Sequence, residues 1–345
     1  MNDALRLVNL TKIYSANGGK NKITAVNNLN LTIPHGCVYG FLGRNGAGKT
    51  TALKMIAGLS NPTDGEIYIY DNKVRFGKPT SFQNIGFLPD VPEFYSYMTA
   101  REYLFLCGKL HKMSDSDIKN KIREIFDLIN FDKKRLRNKI STFSRGMKQK
   151  LGIAVALLNS PSLIMLDEPT SALDPIGRKE TIGIINSLRG KYTVVFSSHI
   201  LTDVERVCDR IALIEKGSLI LEGGIGDIKS KYLSETLQAS VIENAPGNFE
   251  KFLSSVNNTN YMDYIKHEND KEHENIIHIS LKISDRDKTG EEFPKILYET
   301  GLSLSRFAYD DINLEDIFVS ATVSNVGNDA LVVPPDDNKT KGVTK

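Results

Sequence analysis

The sequence has few cysteines, almost no net charge and no long apolar run, and each shortage excludes a class of protein. Its three cysteines, Cys37, Cys107 and Cys208, lie far apart and form no C-x-x-C pair. Disulfide frameworks and zinc sites need paired or closely spaced cysteines, so this pattern favours reduced thiols in the cytosol. The formal net charge of +2 gives no strong field toward a nucleic acid, and we expect no nucleic-acid partner.

The chain also lacks an apolar segment of the length that a bilayer requires. A span needs about 20 apolar residues, and the most apolar stretch, LGIAVALLNSPSLIMLDE, is interrupted by the polar NSPS at 159–162. The N-terminal MNDALRLVNL has no apolar core followed by a small-residue cleavage site, so we expect no signal peptide. If the protein serves a membrane process, another chain must cross the bilayer.

What the sequence does contain is a glycine-rich loop between a strand pattern and a helix pattern. The apolar VYGFLG leads into RNGAGKTT, and 43–50 fit G-x-x-x-x-G-K-[ST]. The glycines let backbone N–H groups face phosphate oxygens, Lys49 can reach the β- and γ-phosphates, and Thr50 can ligate Mg²⁺. The helix that follows points its N-terminus at the same anion. We predict these phosphate-binding residues: Gly43, Arg44, Asn45, Gly46, Ala47, Gly48, Lys49, Thr50 and Thr51.

A second motif, LIMLDEPTSALD at 163–174, supplies acidic groups. Its four apolar residues predict a buried strand that brings Asp167 to the carboxyl end of a sheet, where Mg²⁺ would be bound. Glu168 points differently and can polarise a water for in-line attack on the γ-phosphorus. A solvated acidic turn is the alternative. His199 follows the apolar TVVFSS and can contact the γ-phosphate from the side, with a purely structural role as its alternative.

The order of strand and helix patterns predicts an α/β protein with several parts. The 90–160 region is helical in character, and Thr99 and Glu102 form the S/T-x-x-E capping box of its first helix. Beyond about residue 226, the alternating IIHISLKIS, a helix pattern over 293–301 and the strand-like LSLSRFAY after it predict a small α+β unit. The predicted parts are a core at 1–89 and 161–225, a helical subdomain at 90–160, an accessory unit at 226–322 and a disordered tail at 323–345.

Four motifs in this order, GRNGAGKTT, FSRGMKQ, LIMLDEPTSALD and SSH, resemble the nucleotide-binding subunit of an ATP-binding cassette (ABC) transporter over about 5–225. The resemblance implies a P-loop NTPase core of the RecA-like kind, with ATP and Mg²⁺ as ligands. Tyr14 corresponds to the family's aromatic residue that stacks on adenine, and a core aromatic at a strand end is the alternative. The resemblance further implies catalytic roles for Glu168, His199 and Lys49 and Mg²⁺ ligation by Thr50, Asp167 and Asp90.

FSRGM occupies the position of the family's LSGGQ-type signature. In the family this turn caps the γ-phosphate held by a second copy, so the resemblance implies an ATP-sandwiched dimer, expected to be a homodimer. A hydroxyl, a closely approaching backbone and a helix N-terminus suit such a contact. Arg145 and Met147 replace glycine and glutamine, as in antibiotic and multidrug exporter subunits of the type-2 branch. The implied residues are Ser144, Arg145, Gly146 and Met147 in the signature and Ser171, Ala172, Leu173 and Asp174 in the D-loop.

The stretch IGFLPDVPEFY departs from the family because Asp90 replaces a glutamine that senses Mg²⁺ and the membrane partner. A carboxylate can still ligate Mg²⁺, with a different reach and pH behaviour. Phe94, Tyr95 and Tyr97 follow, either as exposed anchors for a polytopic transmembrane permease docking near Asp90–Ala100 or as residues packed inside the helical subdomain. LEDIFVSAT at 314–322 resembles a short element near the C-terminus of type-2 exporter ATPases.

We therefore expect an ATP-hydrolysing exporter subunit, cytoplasmic and held on the inner face of the cell membrane through the permease. The alternative is a soluble ABC-type ATPase not coupled to transport. Ribosome-acting members generally carry two cassettes in one chain, and this chain has one. DNA-repair members separate the two ATP-binding motifs by a long coiled coil, whereas no heptad run lies between Lys49 and Asp167 here. The absence of N-K-x-D disfavours a GTPase, a kinase would not need FSRGM, and intact Lys49, Asp167 and Glu168 disfavour a vestigial regulatory module.

Overall fold

The computed structural model describes residues 3–16, 21–231, 236–270, 273, 275–309, 314–315, 317–318 and 331–332. They belong to two compact units, one formed by Met1–Ile228 with Phe318–Lys345 and the other by Lys229–Ile317. Of the tail expected to be disordered, only Leu331–Val332 is described, and it forms a short strand. The rest of that prediction lies outside the described residues.

Strands and helices are numbered in chain order. The strands are β1 (Asp3–Ala16), β2 (Asn21–Pro34), β3 (Val38–Leu42), β4 (Asp64–Ile69), β5 (Asn72–Lys73), β6 (Ile85–Leu88), β7 (Leu163–Asp167), β8 (Thr193–Ser198), β9 (Arg210–Glu215), β10 (Ser218–Gly224), β11 (Thr236–Glu243), β12 (Met262–Asn269), β13 (Ile276–Ile283), β14 (Leu302–Tyr309) and β15 (Leu331–Val332). The helices are α1 (Lys49–Ile56), α2 (Ala100–Leu110), α3 (Asp115–Leu128), α4 (Arg145–Leu157), α5 (Pro175–Leu188), α6 (Leu201–Val207), α7 (Ile225–Lys231), α8 (Asn248–Asn257) and α9 (Arg286–Thr300).

A mostly parallel sheet forms the centre of the first unit, in the order β15-β10-β9-β3-β8-β7-β6. The strands from β9 to β6 run parallel, and β10 is antiparallel to β9. Every residue of β3, β7 and β8 is buried, as expected of parallel strands covered on both faces. The carboxyl ends of these strands therefore meet at one edge of the sheet, which is where open α/β sheets bind ligands.

A second, antiparallel sheet in the order β2-β1-β4-β5 belongs to the same unit. Apolar side chains of its long strands, such as Leu5 and Leu29, share one core with Leu53 and Ile56 of α1 and Phe41 of β3. This continuous core fixes α1 against β3, and so it fixes the loop that joins them. The antiparallel sheet was not foreseen as a separate layer, because strand patterns alone do not tell which strands pair.

Helices α2, α3 and α4 follow β6. Thr99 caps α2 with the expected capping box, since its hydroxyl accepts the Glu102 N–H and the Glu102 carboxylate accepts the Thr99 N–H. Ser144 is the N-cap residue of α4. Cys208 is buried and Cys37 and Cys107 are half-buried, and all three are free thiols as expected. No helix within the described ranges is both long and apolar enough to span a bilayer.

The second unit is an antiparallel sheet in the order β12-β13-β11-β14, packed with α8 and α9. Its core joins Phe252 and Phe293 to buried residues of the strands. Strands β13 and β14 lie where the sequence predicts them. Helix α9, predicted over 293–301, begins at Arg286 instead, with Asp285 as its N-cap and Pro294 inside it. Proline normally marks a helix start, and this one is tolerated because Phe293 packs against the sheet side of the helix.

Candidate active site

The phosphate loop connects β3 to α1, at the ligand-binding edge of the central sheet. Its backbone depends on glycine at Gly48, which has φ +105° and where an added Cβ would collide with the carbonyl oxygen of Ala25. Gly46 has open space around it but a φ of +83°, a conformation that side chains disfavour. The Lys49 ammonium group donates to the Gly43 carbonyl oxygen at 2.7 Å and so closes the loop on itself.

Two side chains from neighbouring strands and one from α1 meet beside this loop. Asp167 ends β7, and its Oδ1 accepts hydrogen bonds from Ser197 of β8 at 2.6 Å and from the Thr50 hydroxyl at 3.2 Å. Burial raises the pKa of Asp167, the two hydrogen bonds lower it, and the charges of Glu168 and Asp90 raise it. Thr50 and Asp167, predicted from separate motifs, are thus in direct contact.

Glu168 follows Asp167 with a left-handed backbone, at φ +47°, and its carboxylate has partners of its own. One carboxylate oxygen lies 3.2 Å from the Lys49 ammonium group, and the other lies 2.8 Å from His199 Nδ1. An ionised carboxylate can only accept, so His199 Nδ1 donates the hydrogen of this contact. The structure therefore brings the three predicted catalytic side chains into one cluster.

The oxygen ligands of this edge suit Mg²⁺, which prefers carboxylates and hydroxyls. Thr50 and Asp167 face each other, and Asp90 follows β6, the strand that pairs with β7. Asp90 is near enough that its charge raises the pKa of Asp167. The carboxylates of Asp90 and Asp167 thus follow neighbouring parallel strands at one edge of the sheet. Within the described parts of the chain, no group of three or more histidine, cysteine or acidic side chains is arranged to hold a metal by itself. A divalent cation bound at this edge would stabilise the ionised forms of the two carboxylates.

The signature turn and the D-loop share a different cavity, of about 560 Å³. Ser144 uses its hydroxyl to accept the Met147 N–H at 3.3 Å, and Gly146 has no atom within 4 Å of an added Cβ. No phosphate-loop residue lines this cavity among the described parts of the chain. Its wall includes Ser144, Arg145, Gly146, Met147, Ala172, Leu173 and Asp174. The signature and the phosphate loop of one chain therefore face separate spaces.

Tyr14 lies near the end of β1 and is 45% exposed, which excludes the core aromatic that was its alternative. The Lys12 ammonium group lies 5.1 Å from the ring centroid. Tyr14 is therefore a surface aromatic residue with a cation over one face of its ring, and that cation can also contact an anion.

The aromatic residues after Asp90 could be exposed anchors or could pack inside the helical subdomain, and the structure shows some of each. Phe94 is half-buried and packs edge-on against Tyr103, with ring centroids 5.1 Å apart. Tyr95 and Tyr97 are 55% and 70% exposed, and their rings lie 5.9 Å apart. The segment also borders a cavity of about 530 Å³ that reaches Gln149. The buried Nε2 of Gln149 has no hydrogen-bond partner among the described residues.

Two residues at the site were missed by sequence reasoning. Ser197 could have been found, because it is the first polar residue after the apolar VVF of β8 and so lies where that strand reaches the site. Phe318 lines a cavity of about 430 Å³ together with Asn45 and His199. Nothing in the sequence could place it there, since the contact joins segments far apart in the chain.

The fold and the site define a P-loop ATPase. The family model described as ABC transporter matches residues 26–171. The bacitracin transport ATP-binding protein BcrA of Bacillus licheniformis is 35% identical over 327 residues, which cover 92% of this chain and 97% of that protein. The lantibiotic transport ATP-binding protein SrtF of Streptococcus pyogenes is 39% identical over 63% of this chain and 90% of its own.

Solved structures agree with these relatives. The dimeric structure of a bacterial ABC transporter cassette superposes with a TM-score of 0.59 and 28% identity, covering 64% of this chain and 98% of that one. A post-hydrolysis state of the same kind of cassette, bound to ADP and Pi, gives a TM-score of 0.56 at 28% identity, covering 64% and 98%. The chain belongs to the ATP-binding proteins of ABC transporters and is an ATPase.

Proposed function

We propose that the protein drives a membrane exporter by binding ATP between two copies of itself and hydrolysing it. The observation that carries this proposal is the cluster of Lys49, Glu168 and His199 beside the Thr50–Asp167 contact, at 3.2 Å or less between their polar atoms. Acidic, cationic and imidazole groups from three separate motifs converge there on a loop built for phosphate.

Each side chain then has a task in hydrolysis. The loop N–H groups and Lys49 bind the β- and γ-phosphates, and Thr50 and Asp167 would hold Mg²⁺, which neutralises phosphate charge when bound. Glu168 accepts a proton from the attacking water, and His199, oriented by Glu168, contacts the γ-phosphate. Asp90 would ligate Mg²⁺ or act on it through its charge.

A dimer is supported by the separation of the signature from the phosphate loop. Ser144 and Gly146 open onto a cavity that the chain's own phosphate loop does not line, among the residues described. A second copy can bring its phosphate loop to that turn, with the N-terminus of α4 toward the γ-phosphate. A solved cassette with 28% identity is described as dimeric. We infer a homodimer that holds two ATP molecules.

Coupling to a permease is supported by the exposed segment after Asp90. Tyr95 and Tyr97 offer large amphipathic rings, the kind of anchor that dominates protein interfaces. Beside them, the unpartnered Gln149 amide can donate to a carbonyl oxygen of an inserted helix end. We infer that a polytopic transmembrane subunit docks over Asp90–Ala100 and holds this protein on the cytoplasmic face of the membrane.

The cargo is inferred from the relatives. BcrA of Bacillus licheniformis is named for bacitracin transport, and its similarity extends over 92% of this chain, including the second unit. SrtF is named for lantibiotic transport. Both names refer to antimicrobial peptides, so we infer export of a peptide antibiotic. A soluble ATPase without a permease is the second candidate, and the exposed Tyr95 and Tyr97 argue against it.

Two experiments test these proposals. Glu168→Gln should keep ATP and accumulate as a stable dimer on size-exclusion chromatography with light scattering, whereas Lys49→Ala should not bind ATP tightly; Glu250→Gln, in the second unit, is the matched control. Normal turnover by Glu168→Gln would exclude the general-base role.

For docking, Tyr95→Cys and Tyr97→Cys should crosslink to a co-expressed membrane subunit, while Tyr298→Cys, 86% exposed in the second unit, should not.

A further inference from the structure

A concave basic groove of about 580 Å³ lies on the helical part of the first unit, and none of its lining residues among those described has been given a role above. It is formed by α2, α3 and the short 3-10 turn Lys133–Arg137. No carboxylate lines it among the described residues, although the whole chain carries a formal net charge of only +2. Its cationic side chains are Arg101, Lys119, Arg123, Lys133, Lys134 and Arg137.

Most of these cations have no acidic partner within the described parts of the chain. There are two exceptions: the Lys133 ammonium group lies 2.6 Å from Asp127, and the charge of Lys119 acts on Asp115, one turn before it on α3. Arg101 lies over the Phe105 ring, with 5.5 Å from its guanidinium carbon to the ring centroid. The others are exposed side chains that make no ion pair there. Like charges held close together without partners create a potential that attracts an anion.

The floor of the groove is apolar and so narrows the kind of anion. Phe105 and Leu136 are half-buried and Ile122 is buried, and all three line the groove beneath the cations. A phosphate next to a glycerol and acyl region matches this combination of charge and apolar surface. Single-stranded nucleic acid fits less well, because Phe105 is the one aromatic ring in the described lining and stacking along a strand needs several.

The position of the groove also points to a membrane. Arg101 lies in the first turn of α2, four residues after the exposed Tyr97. Thr99 pairs with Lys139 in an isolated bridge, which brings the Arg137 end of the groove next to the same segment. If Tyr95 and Tyr97 dock on a permease, which is the proposed function, the adjoining groove faces lipid headgroups. This orientation rests on that proposal, but binding of anionic lipid by the groove does not.

We propose that this groove binds the phosphate-bearing headgroups of anionic phospholipids in the cytoplasmic leaflet. The protein then has two attachments to the membrane, one to the permease through Tyr95 and Tyr97 and one to lipid through the basic groove. Each basic residue near an anionic surface strengthens partitioning by roughly fivefold. Removing several of them is therefore measurable even where one substitution is not.

The test uses the full chain, without a permease, in flotation with vesicles of phosphatidylcholine alone or mixed with phosphatidylglycerol. We expect binding only to the anionic vesicles, at least ~10-fold weaker for the combined R101Q, R123Q, K134Q and R137Q variant. A matched control replaces four exposed lysines elsewhere, K191Q, K216Q, K251Q and K295Q, and should bind like the parent. Raising the salt should release the parent protein.

Other outcomes overturn the proposal. Equal binding to both vesicle types, or equal loss in the two fourfold variants, would exclude a lipid site in the groove. Displacement from vesicles by inorganic phosphate, but not by chloride at the same ionic strength, would indicate a site for free phosphate instead. Failure of the groove variant to assemble with the permease in detergent, with no vesicle binding by the parent, would indicate an acidic protein partner. ATP turnover in solution, which the groove does not touch, shows that the variant is folded and tests the proposed function separately.

Discussion

The hydroxyl of Ser197 lies 2.6 Å from Asp167 Oδ1 and connects two neighbouring strands of the central sheet at the site. The Ser197 hydroxyl donates to that carboxylate, and its oxygen accepts the backbone N–H of Glu168 at 2.9 Å. One buried hydroxyl therefore orients the side chain of the predicted Mg²⁺ ligand and the backbone of the predicted general base. Ser197 touches neither substrate nor metal and is a positioning residue.

Ser197→Ala should lower ATP turnover by about 10–100-fold and shift the Mg²⁺ midpoint to higher concentration, because outer partners orient metal ligands. The measurement is ATPase activity titrated with Mg²⁺ at saturating ATP. Ser198→Ala is the control, since the Ser198 hydroxyl is hydrogen-bonded to the nearby backbone of Ile200 and not, among the described residues, to Asp167 or Glu168. A parental Mg²⁺ midpoint in Ser197→Ala would contradict the positioning role.

Stability should depend on pH through Glu222, whose carboxylate accepts the Tyr39 hydroxyl at 2.9 Å. Burial raises the pKa of Glu222, while the Tyr39 hydrogen bond and Arg210 lower it. With a raised folded pKa, this group's contribution to stability is fully present below the ordinary glutamate pKa and is lost as pH rises through the raised value. Glu222→Gln should therefore increase the free energy of unfolding near pH ~7 and change it little near pH ~4.

Urea unfolding at both pH values measures this difference. Glu66→Gln is a control of opposite sign, because the hydrogen bond from Lys73 and then that from Tyr68 lower the pKa of Glu66. That group's contribution is present above the ordinary glutamate pKa and is lost as pH falls through the lowered value. Glu66→Gln should thus slightly destabilise the protein at neutral pH. The same sign for both variants would refute the assignment to Glu222.

Gly48→Ala should damage both the fold and phosphate binding. The new Cβ would meet the Ala25 carbonyl oxygen at a backbone φ of +105°, so the loop must shift. We expect a loss of more than ~1 kcal/mol in the free energy of unfolding. Gly183→Ala, in α5 with no atom within 4 Å of the added Cβ, should instead stabilise by about 0.5–1 kcal/mol. Thermal unfolding and binding of a fluorescent ATP analogue measure the stability and the nucleotide affinity of both variants. Tight binding by Gly48→Ala would argue against the close contact between Gly48 and Ala25.

Tyr14→Ala should weaken ATP binding by about 5–150-fold, the value of one base–aromatic stack, whereas Tyr14→Phe should bind like the parent. The ring is 45% exposed, so neither change should alter folding. Stacking does not read base edges, and ATP and GTP should lose affinity equally. Equilibrium binding of both nucleotides measures this. A loss in Tyr14→Phe as large as in Tyr14→Ala would show that the hydroxyl, not the ring, makes the contact.

The site was largely predictable because its motifs encode backbone geometry. A G-x-x-x-x-G-K-[ST] pattern after a buried strand fixes where Lys49 and Thr50 must lie, and an apolar run followed by Asp167 fixes the next strand end. Parallel strands place both at the same edge. Which oxygen of Glu168 faces Lys49 and which faces His199 was not predictable, since it depends on the left-handed backbone of one residue.

The second unit was predictable only in part. Strands β13 and β14 show clear alternation, but β11, α8 and β12 were not foreseen in 236–269, where β12 carries mostly exposed residues. Helix α9 starts a full two turns before Pro294 because Asp285 caps it and its buried face outweighs the lost backbone hydrogen bond. Local pattern failed wherever packing between distant segments decided the outcome. The net charge also failed to predict the basic groove, because a total of +2 over the chain does not show where the cations cluster.

The burial of the native thiols has a practical consequence for chemical labelling. Burial raises the pKa of Cys37 to about 11, and it raises those of Cys107 and Cys208 as well. Maleimides and disulfide reagents attack thiolates, so all three native thiols should react slowly at neutral pH. A cysteine introduced on the exposed tyrosine segment can therefore carry a probe or a tether in the otherwise unaltered protein, without first building a cysteine-free background.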